Sequence, residues 1–95
     1  MKKLKDFCEI KTNMQDADFW LVRSNSSDKV GMPTKAFNKD YIGVKVTATD
    51  VLNKDYLFYL MMFFYSMGTF KKWSRGTLGL QHIKVKDVEQ ISIGG

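Results

Sequence analysis

The stretch YLFYLMMFFY, Tyr56 to Tyr65, is the longest apolar run without a charged residue in this chain of 95 residues. At about 1.5 Å per residue, a helix over this run is about 15 Å long, which is half the thickness of a bilayer core. The run is apolar on nearly every face of such a helix, so we expect the helix to be buried against a sheet and other helices. Its core stripe is predicted to comprise Leu57, Leu60, Met61 and Phe64.

Two strands are predicted ahead of this helix. YIGVKVTAT alternates Ile42, Val44 and Val46 with more polar residues, which is the pattern of a half-buried strand. DADFWLVRS, roughly Asp18 to Ser24, is rich in aromatic and branched residues and places apolar side chains on both faces. We therefore expect both faces of this second strand to be covered.

The ends of the helix also have sequence signals. Asp50 or Asn53 is placed to cap its start, and Gly68 to end or bend it.

Elsewhere the patterns are weaker. KKLKDFCEI predicts a short amphipathic helical turn, and SNSSDKVGMPTKAFNKD predicts a long loop, either a functional one or one that contains a short strand around Val30.

Together these elements predict one α+β domain over residues 1–95, in which a short twisted β-sheet packs on one long apolar helix with short helices around it. A composition of 44% hydrophobic and 14% aromatic residues is typical of a globular domain, and this length supports a single modest core. The six methionines fit core filling, with a pliable binding groove as the alternative.

The positive charge of the chain is concentrated in one segment. The formal net charge is +5, and the segment from Thr69 to Lys86 contains five basic residues and no acidic one. The rest of the chain is neutral, with ten basic and ten acidic residues. A basic patch on a neutral body is typical of a protein that binds nucleic acid, although a solubilising face is the alternative.

Catalysis is not expected from this sequence. His82 is the only histidine and Cys8 the only cysteine, and neither lies in a recognisable nucleophile motif. The acidic residues form no spacing that indicates a carboxylate mechanism, and we expect no metal and no cofactor.

The basic start of the chain runs into further charges and is not a signal peptide, so we expect a cytoplasmic protein.

The basic segment begins with a helical pattern, TFKKWSR, and continues into two glycines. Phe70 and Trp73 fall on one side of the predicted helix and anchor it, and Gly76 is predicted to end it. The cations of the segment then remain free for DNA phosphates, and Gly76 and Gly79 allow a close approach of the backbone. The DNA-binding residues predicted here are Lys71, Lys72, Arg75, Gly76, Thr77, Gln81, His82 and Lys84.

Gln81 and His82 suit base edges or phosphates in this charged context; an ordinary polar connection is the alternative. The expected DNA-binding surface extends beyond this segment to Arg23, Lys35 and Lys45.

The segment RGTLGLQHIKVKDVEQISI resembles the closing segment of target recognition domains in the specificity subunits of type I restriction–modification systems. In that family a Gly-Thr turn is followed by an isoleucine, a short helix and a strand, which here correspond to Gly76-Thr77, Ile83, Lys86 to Gln90 and Ile91 to Ile93. VLNKDYLFYLMMF is similar to the family's preceding helix through Leu52, Tyr56 and Leu57, and KLKDFCEI is similar to its opening segment.

The resemblance implies a miniature DNA-reading domain that binds double-stranded DNA. Such a domain acts as a DNA-binding accessory protein, or as an anti-restriction decoy that competes with a restriction complex. The alternative function is an intracellular protein–protein interaction module, an inhibitor or accessory factor of a restriction or other enzyme complex. No membrane partner is expected. A homodimer is expected, through the apolar helix or an uncovered sheet edge, because two copies restore a two-part DNA site.

Overall fold

The computed structural model describes residues 2–25, 29–77 and 80–93. These residues form seven short strands and three α-helices. A short 3₁₀ helix, Leu4–Asp6, precedes them. The strands are β1 Cys8–Thr12, β2 Phe19–Leu21, β3 Ser24–Asn25, β4 Pro33–Thr34, β5 Ile42–Val46, β6 Arg75–Thr77 and β7 Leu80–His82. The helices are α1 Lys54–Ser66, α2 Thr69–Trp73 and α3 Val85–Glu89.

The larger sheet has four antiparallel strands in the order β1-β5-β2-β4. Strand β5 is central and pairs with β1 over its whole length, from Cys8 opposite Val46 to Thr12 opposite Ile42. Strand β4 is at the edge, where Pro33 is tolerated because an edge strand does not need every N–H for pairing.

One face of this sheet forms the core because its side chains alternate. The apolar residues of β1 and β5 that share this face are buried, whereas Glu9 and Lys11 on the other face are exposed. The opposite face is covered at Trp20 of β2 and at Gly43 beside it in β5, where the backbone carbonyl of the loop residue Met14 accepts a 2.8 Å hydrogen bond from the indole of Trp20. The prediction that both faces of this second strand are covered is confirmed, since Phe19, Trp20 and Leu21 are all buried.

Helix α1 lies on the core face of the sheet. Its N-terminus is capped by Asn53, whose side chain accepts hydrogen bonds from the backbone N–H groups of Asp55 and Tyr56 at 2.8 and 3.0 Å. Leu57 and Met61 are fully buried, and Phe58 contacts Phe19 edge to face at 5.5 Å between ring centroids. Of the two caps that the sequence allows, the structure uses Asn53.

Helix α1 is not buried on every face, and this corrects the sequence prediction. Within the predicted core stripe, Leu57 and Met61 are buried but Leu60 and Phe64 are only half-buried. A further row of large apolar side chains on the same helix is exposed to solvent. The helix is 13 residues long, and the sheet and the other elements cover only one side of it.

The smaller sheet has three antiparallel strands in the order β3-β7-β6. Strands β6 and β7 of this sheet follow α2, whose N-cap is Gly68 with a left-handed φ of 79°. Helix α1 ends at Ser66, two residues before Gly68, so the helical segment is interrupted at the predicted glycine. Gly76 does not end a helix as predicted; α2 has already ended at Trp73, and Gly76 lies within β6.

The two chain ends meet beside α3. The backbone N–H of Leu4 donates to the carbonyl of Ile91 at 2.8 Å, and that of Ile93 donates to Lys2 at 3.0 Å. Only an isolated bridge between Lys3 and Ser92 forms where the sequence predicts a closing strand. Val88 of α3 is fully buried in the same core as the larger sheet and helices α1 and α2.

The α+β prediction is confirmed, and two local predictions are corrected. The opening segment forms a 3₁₀ turn followed by strand β1, because Cys8 and Ile10 alternate with charged residues and pair with β5. The predicted long loop contains β3 and β4, and Val30 is a buried turn residue between them. In the part of the chain that the structure describes, no helix is long and apolar enough to span a membrane.

Candidate nucleic-acid interface

Helix α2 is a short platform whose two sides differ. Phe70 is fully buried and meets Trp73 edge to face, with 5.9 Å between ring centroids. Lys71 and Lys72 lie between them in sequence and are exposed. The predicted anchoring by Phe70 and Trp73 is confirmed, and it leaves both lysine side chains at the surface.

The β6–β7 hairpin brings two predicted site residues side by side. Arg75 lies directly opposite His82, and Ser24 of β3 lies opposite His82 on its other side. Residues directly opposite in an antiparallel pair share a face of the sheet, and all three are exposed. The exposed face of the small sheet is therefore a row of Ser24, His82 and Arg75. Only Trp73 and Ser74 separate Arg75 from Lys72 in the chain.

Gln81 does not belong to this exposed row. It alternates with His82 and so lies on the other face, where it is half-buried and its Oε1 accepts a 3.2 Å hydrogen bond from Ser74 Oγ. Gly76 lies opposite Gln81 in β6. The side chain of Thr77 and the whole of Gly79, two further parts of the predicted site, lie outside the described part of the chain.

Lys84 is exposed at the start of α3, where its backbone N–H donates to the carboxylate of Asp87 at 3.0 Å. Between it and His82, Ile83 is buried and donates its N–H to the carbonyl of Arg23 at 2.9 Å. Two residues of extended chain span about 7 Å, so Lys84 follows closely on the exposed row.

The cations of this region have no acidic partners. Within residues 2–25, 29–77 and 80–93, no ion pair involves Lys71, Lys72, Arg75 or Lys84. The only side-chain bond that Arg75 forms there is a long one of 3.5 Å, from Nη1 to the carbonyl of Trp73. Unpaired exposed cations keep their full charge for an anionic partner. We refer below to Lys71, Lys72, Arg75, His82 and Lys84 as the basic face.

Of the three cations expected to extend this surface, only Arg23 is beside it. Arg23 precedes Ser24 and donates from Nε to the carbonyl of Asp40 at 3.0 Å, in the wall of a polar cleft. Lys45 instead lies on the larger sheet, bound to Asp16 at 2.8 Å, and this hydrogen bond lowers the pKa of Asp16. Lys35 lies 4.6 Å from the ring centroid of Phe58. For Lys35 and Lys45 the extension of the surface stays a prediction.

The arrangement offers little to nucleophilic or metal chemistry. Burial, with a contribution from the nearby carboxylate of Asp18, raises the pKa of the Cys8 thiol from 9.0 to about 12. The thiol is therefore protonated at neutral pH and is a poor nucleophile. The described residues contain no group of three or more histidine, cysteine or acidic side chains that is placed to hold a metal ion.

A second surface lies on α1; sequence reasoning named this helix as a possible dimer interface but did not identify the residues that form the surface. Four large apolar side chains of this helix are exposed in one row, which we call the apolar stripe: Tyr56, Tyr59, Phe63 and Met67, the last being the residue that follows the helix. Their spacing of three, four and four residues is itself a helical signal. This spacing is visible in the sequence, but the residues that face the core have a similar helical spacing, so the sequence does not show which row is exposed.

The chain matches no protein family, no curated protein and no solved structure. The resemblance to target recognition domains therefore depends on the sequence motifs alone.

Proposed function

We propose that this protein binds double-stranded DNA through the basic face. The observation that carries the proposal is the row formed by Arg75 and His82, two exposed side chains placed directly opposite each other next to the exposed lysines of α2. Unpaired cations supply the salt-dependent attraction to phosphates, which dominates the affinity of most DNA-binding proteins.

The shape of the site supports the same function. The major groove of B-DNA admits an α-helix or a two-stranded β-ribbon, and the β6–β7 hairpin is a ribbon with Arg75 and His82 on its exposed face. Arginine is the side chain most often found on guanine, through O6 and N7. In this arrangement Arg75 and His82 are nearest the bases, and Lys71 and Lys72 bind phosphates beside them.

The proposal keeps the functional class that the motifs imply. The chain acts as a cytoplasmic relative of the DNA-reading domains in type I restriction–modification systems, either as an accessory DNA-binding protein or as an anti-restriction decoy. Its action there requires no catalysis and no cofactor.

The first test of this function is a binding titration on duplex DNA at several salt concentrations. Three phosphate contacts, by Lys71, Lys72 and Lys84, predict a slope of about −3 for log affinity against log salt concentration. Binding that is absent at low salt, or that does not change with salt, rules out DNA as the partner.

A variant series then separates the roles of the side chains. Lys71→Ala and Lys72→Ala should each reduce the salt slope by about 1 and weaken all duplexes similarly. Arg75→Ala and His82→Ala should in addition change the preference among sequences, because a base contact contributes about 1–3 kcal/mol of discrimination. Lys5→Ala removes an exposed cation from the 3₁₀ helix and is the matched control, with the affinity of the parent.

A second candidate function is the protein–protein interaction module, which inhibits or assists a restriction or other enzyme complex. The apolar stripe favours it, since exposed apolar patches rimmed by polar residues mark protein interaction sites. If the basic-face variants bind DNA as the parent does, and a stripe variant loses binding to a purified restriction complex, this second function replaces the first.

A further inference from the structure

The apolar stripe has the properties of an interface that is missing its other half. Its members are exposed by 60% at Tyr56, 70% at Tyr59, 55% at Phe63 and 64% at Met67. They follow one another by about one helical turn, so they form a continuous row along most of the 13-residue helix. When another apolar surface covers such a row of water-exposed aromatic side chains, the free energy of the system falls, so burial of the row is favourable.

The surroundings of the stripe widen this apolar surface. Leu60 and Phe64 are half-buried and lie on the side of α1 that faces the C-terminal segment. Near Tyr56 the surface is concave, with an apolar depression lined by Phe7, Val51, Leu52, Tyr56, Leu60 and Ile93. Val51, which precedes the helix, is itself 68% exposed.

We propose that the occupant of the apolar stripe is the same stripe of a second copy of this chain, packed antiparallel about a two-fold axis. An aromatic side chain buries about 150–250 Å² in full, so side chains exposed by more than half supply about 100–150 Å² each. At these values the four side chains of the stripe bury about 400–600 Å² per copy, and Val51 adds to this area. With the half-buried residues beside them, this approaches the roughly 800 Å² per partner of a standard interface.

The order of side chains along the stripe fits pairing with itself. When one copy is reversed against the other, Tyr56 comes opposite Met67 and Tyr59 opposite Phe63, because the spacing of three, four and four residues is nearly symmetric. Both pairings are favourable, one of sulfur with an aromatic ring and the other of two aromatic rings.

Charge also favours a second copy over a charged partner. No charged residue lies between Tyr56 and Met67, so two copies of a chain of net charge +5 meet here without bringing cations together. Antiparallel packing places the N-terminus of each α1 near the C-terminal end of the other α1. Opposite ends of the two helix dipoles then lie close together.

The first experiment measures the mass of the parent protein by light scattering and sedimentation without nucleic acid, so its outcome does not depend on the DNA-binding proposal. Interfaces of this size commonly have micromolar or lower dissociation constants, so at about 100 µM protein we expect a dimer. A monomeric mass at this concentration overturns the proposal and leaves the stripe for a different protein.

Two variants then test the surface. Phe63→Glu places a charge in the stripe without disturbing the core, and we expect it to weaken dimerisation by at least tenfold while the circular dichroism of the fold is retained. Ala36→Glu is the matched control, because it adds the same charge at an exposed residue outside α1 and should dimerise like the parent. If Phe63→Glu dimerises as well as the parent, another surface forms the dimer and the proposal is wrong.

A charge pair tests the antiparallel geometry. Tyr59→Lys alone should also be monomeric, but an equimolar mixture of Tyr59→Lys and Phe63→Glu places a lysine opposite a glutamate in a heterodimer. We expect this mixture to recover dimers that neither variant forms alone. A mixture that remains monomeric rejects the antiparallel pairing of Tyr59 with Phe63.

Discussion

Helices α1 and α2 are neighbours joined at Gly68, and each differs from what its composition indicates. Helix α1 is almost entirely apolar, yet its apolar stripe is exposed to solvent. Helix α2 has five residues, two of them lysines, yet it is anchored by Phe70, which is fully buried. The contrast shows that the share of apolar residues in a helix does not predict how much of it is buried.

The physical reason is an asymmetry between charged and apolar side chains. An unpaired charge is rarely buried, so the exposure of Lys71 and Lys72 follows from their chemistry. An apolar side chain is tolerated on the surface at a modest cost, so its burial depends on whether another element covers it. For α1, the sheet covers only the side of Leu57 and Met61.

The largest expected effect is a charge on the buried side of α1. Met61→Asp should leave the protein unfolded, because an unpaired buried charge costs several kcal/mol, a large part of the stability of a domain this small. Phe63→Asp introduces the same charge on the exposed side and should change the free energy of unfolding by about 1 kcal/mol or less. Thermal melts at about 1 µM protein, where association contributes little, measure both. Equal losses would show that α1 has no exposed side.

The next effect concerns the anchor of α2. Phe70→Ala should destabilise the protein by about 3–5 kcal/mol, since it removes a fully buried ring that contacts Trp73. Lys72→Ala, on the exposed side of the same helix, should change stability by about 0.5 kcal/mol at most. Chemical denaturation of the two variants compares them directly. A small loss for Phe70→Ala would mean that α2 is held mainly by its chain connections.

Two glycines with positive φ give a somewhat smaller contrast, because only one of them packs on the ring of Phe70. Gly31 has a φ of 85°, and a Cβ there would lie 2.3 Å from the Cβ of Phe70, so Gly31→Ala should cost about 2–4 kcal/mol in strain and displaced packing. Gly68 has a φ of 79° with nothing within 4 Å of such a Cβ, so Gly68→Ala should cost about 1 kcal/mol from the backbone alone. Urea titrations of both variants measure the difference, and equal costs would contradict the close packing of Gly31 on Phe70.

The smallest effect concerns how the two helices begin. The N-cap residue of α1 is Asn53, whose side chain accepts hydrogen bonds from the helix, whereas the N-cap residue of α2 is Gly68, which has no side chain. Asn53→Ala should therefore lower stability by about 1 kcal/mol. Lys54→Ala, at the next residue, is the control and should be close to neutral. Both are read from thermal melts, and an unchanged melting temperature for Asn53→Ala would show that this cap contributes nothing.

Much of the candidate site could be predicted from residue types in their local order. The exposure of Lys71, Lys72 and Arg75, and the anchoring by Phe70 and Trp73, follow from charge and helical spacing over a few residues. The role of Gln81 could not be predicted, because it depends on which face of β7 points to solvent. Strand pairing with β3 and β6 decides this, and places His82 outward and Gln81 against Ser74.

The sequence by itself determined the α+β class, the strand at Ile42–Val46, the cap at Asn53 as one of two candidates, and the position of the positive charge, because each depends on local periodicity, turn chemistry or charge. Only the tertiary structure decided which apolar side of α1 is covered, that Cys8 begins a strand, and that Arg75 lies opposite His82. These depend on contacts between residues far apart in the chain, which no local pattern specifies.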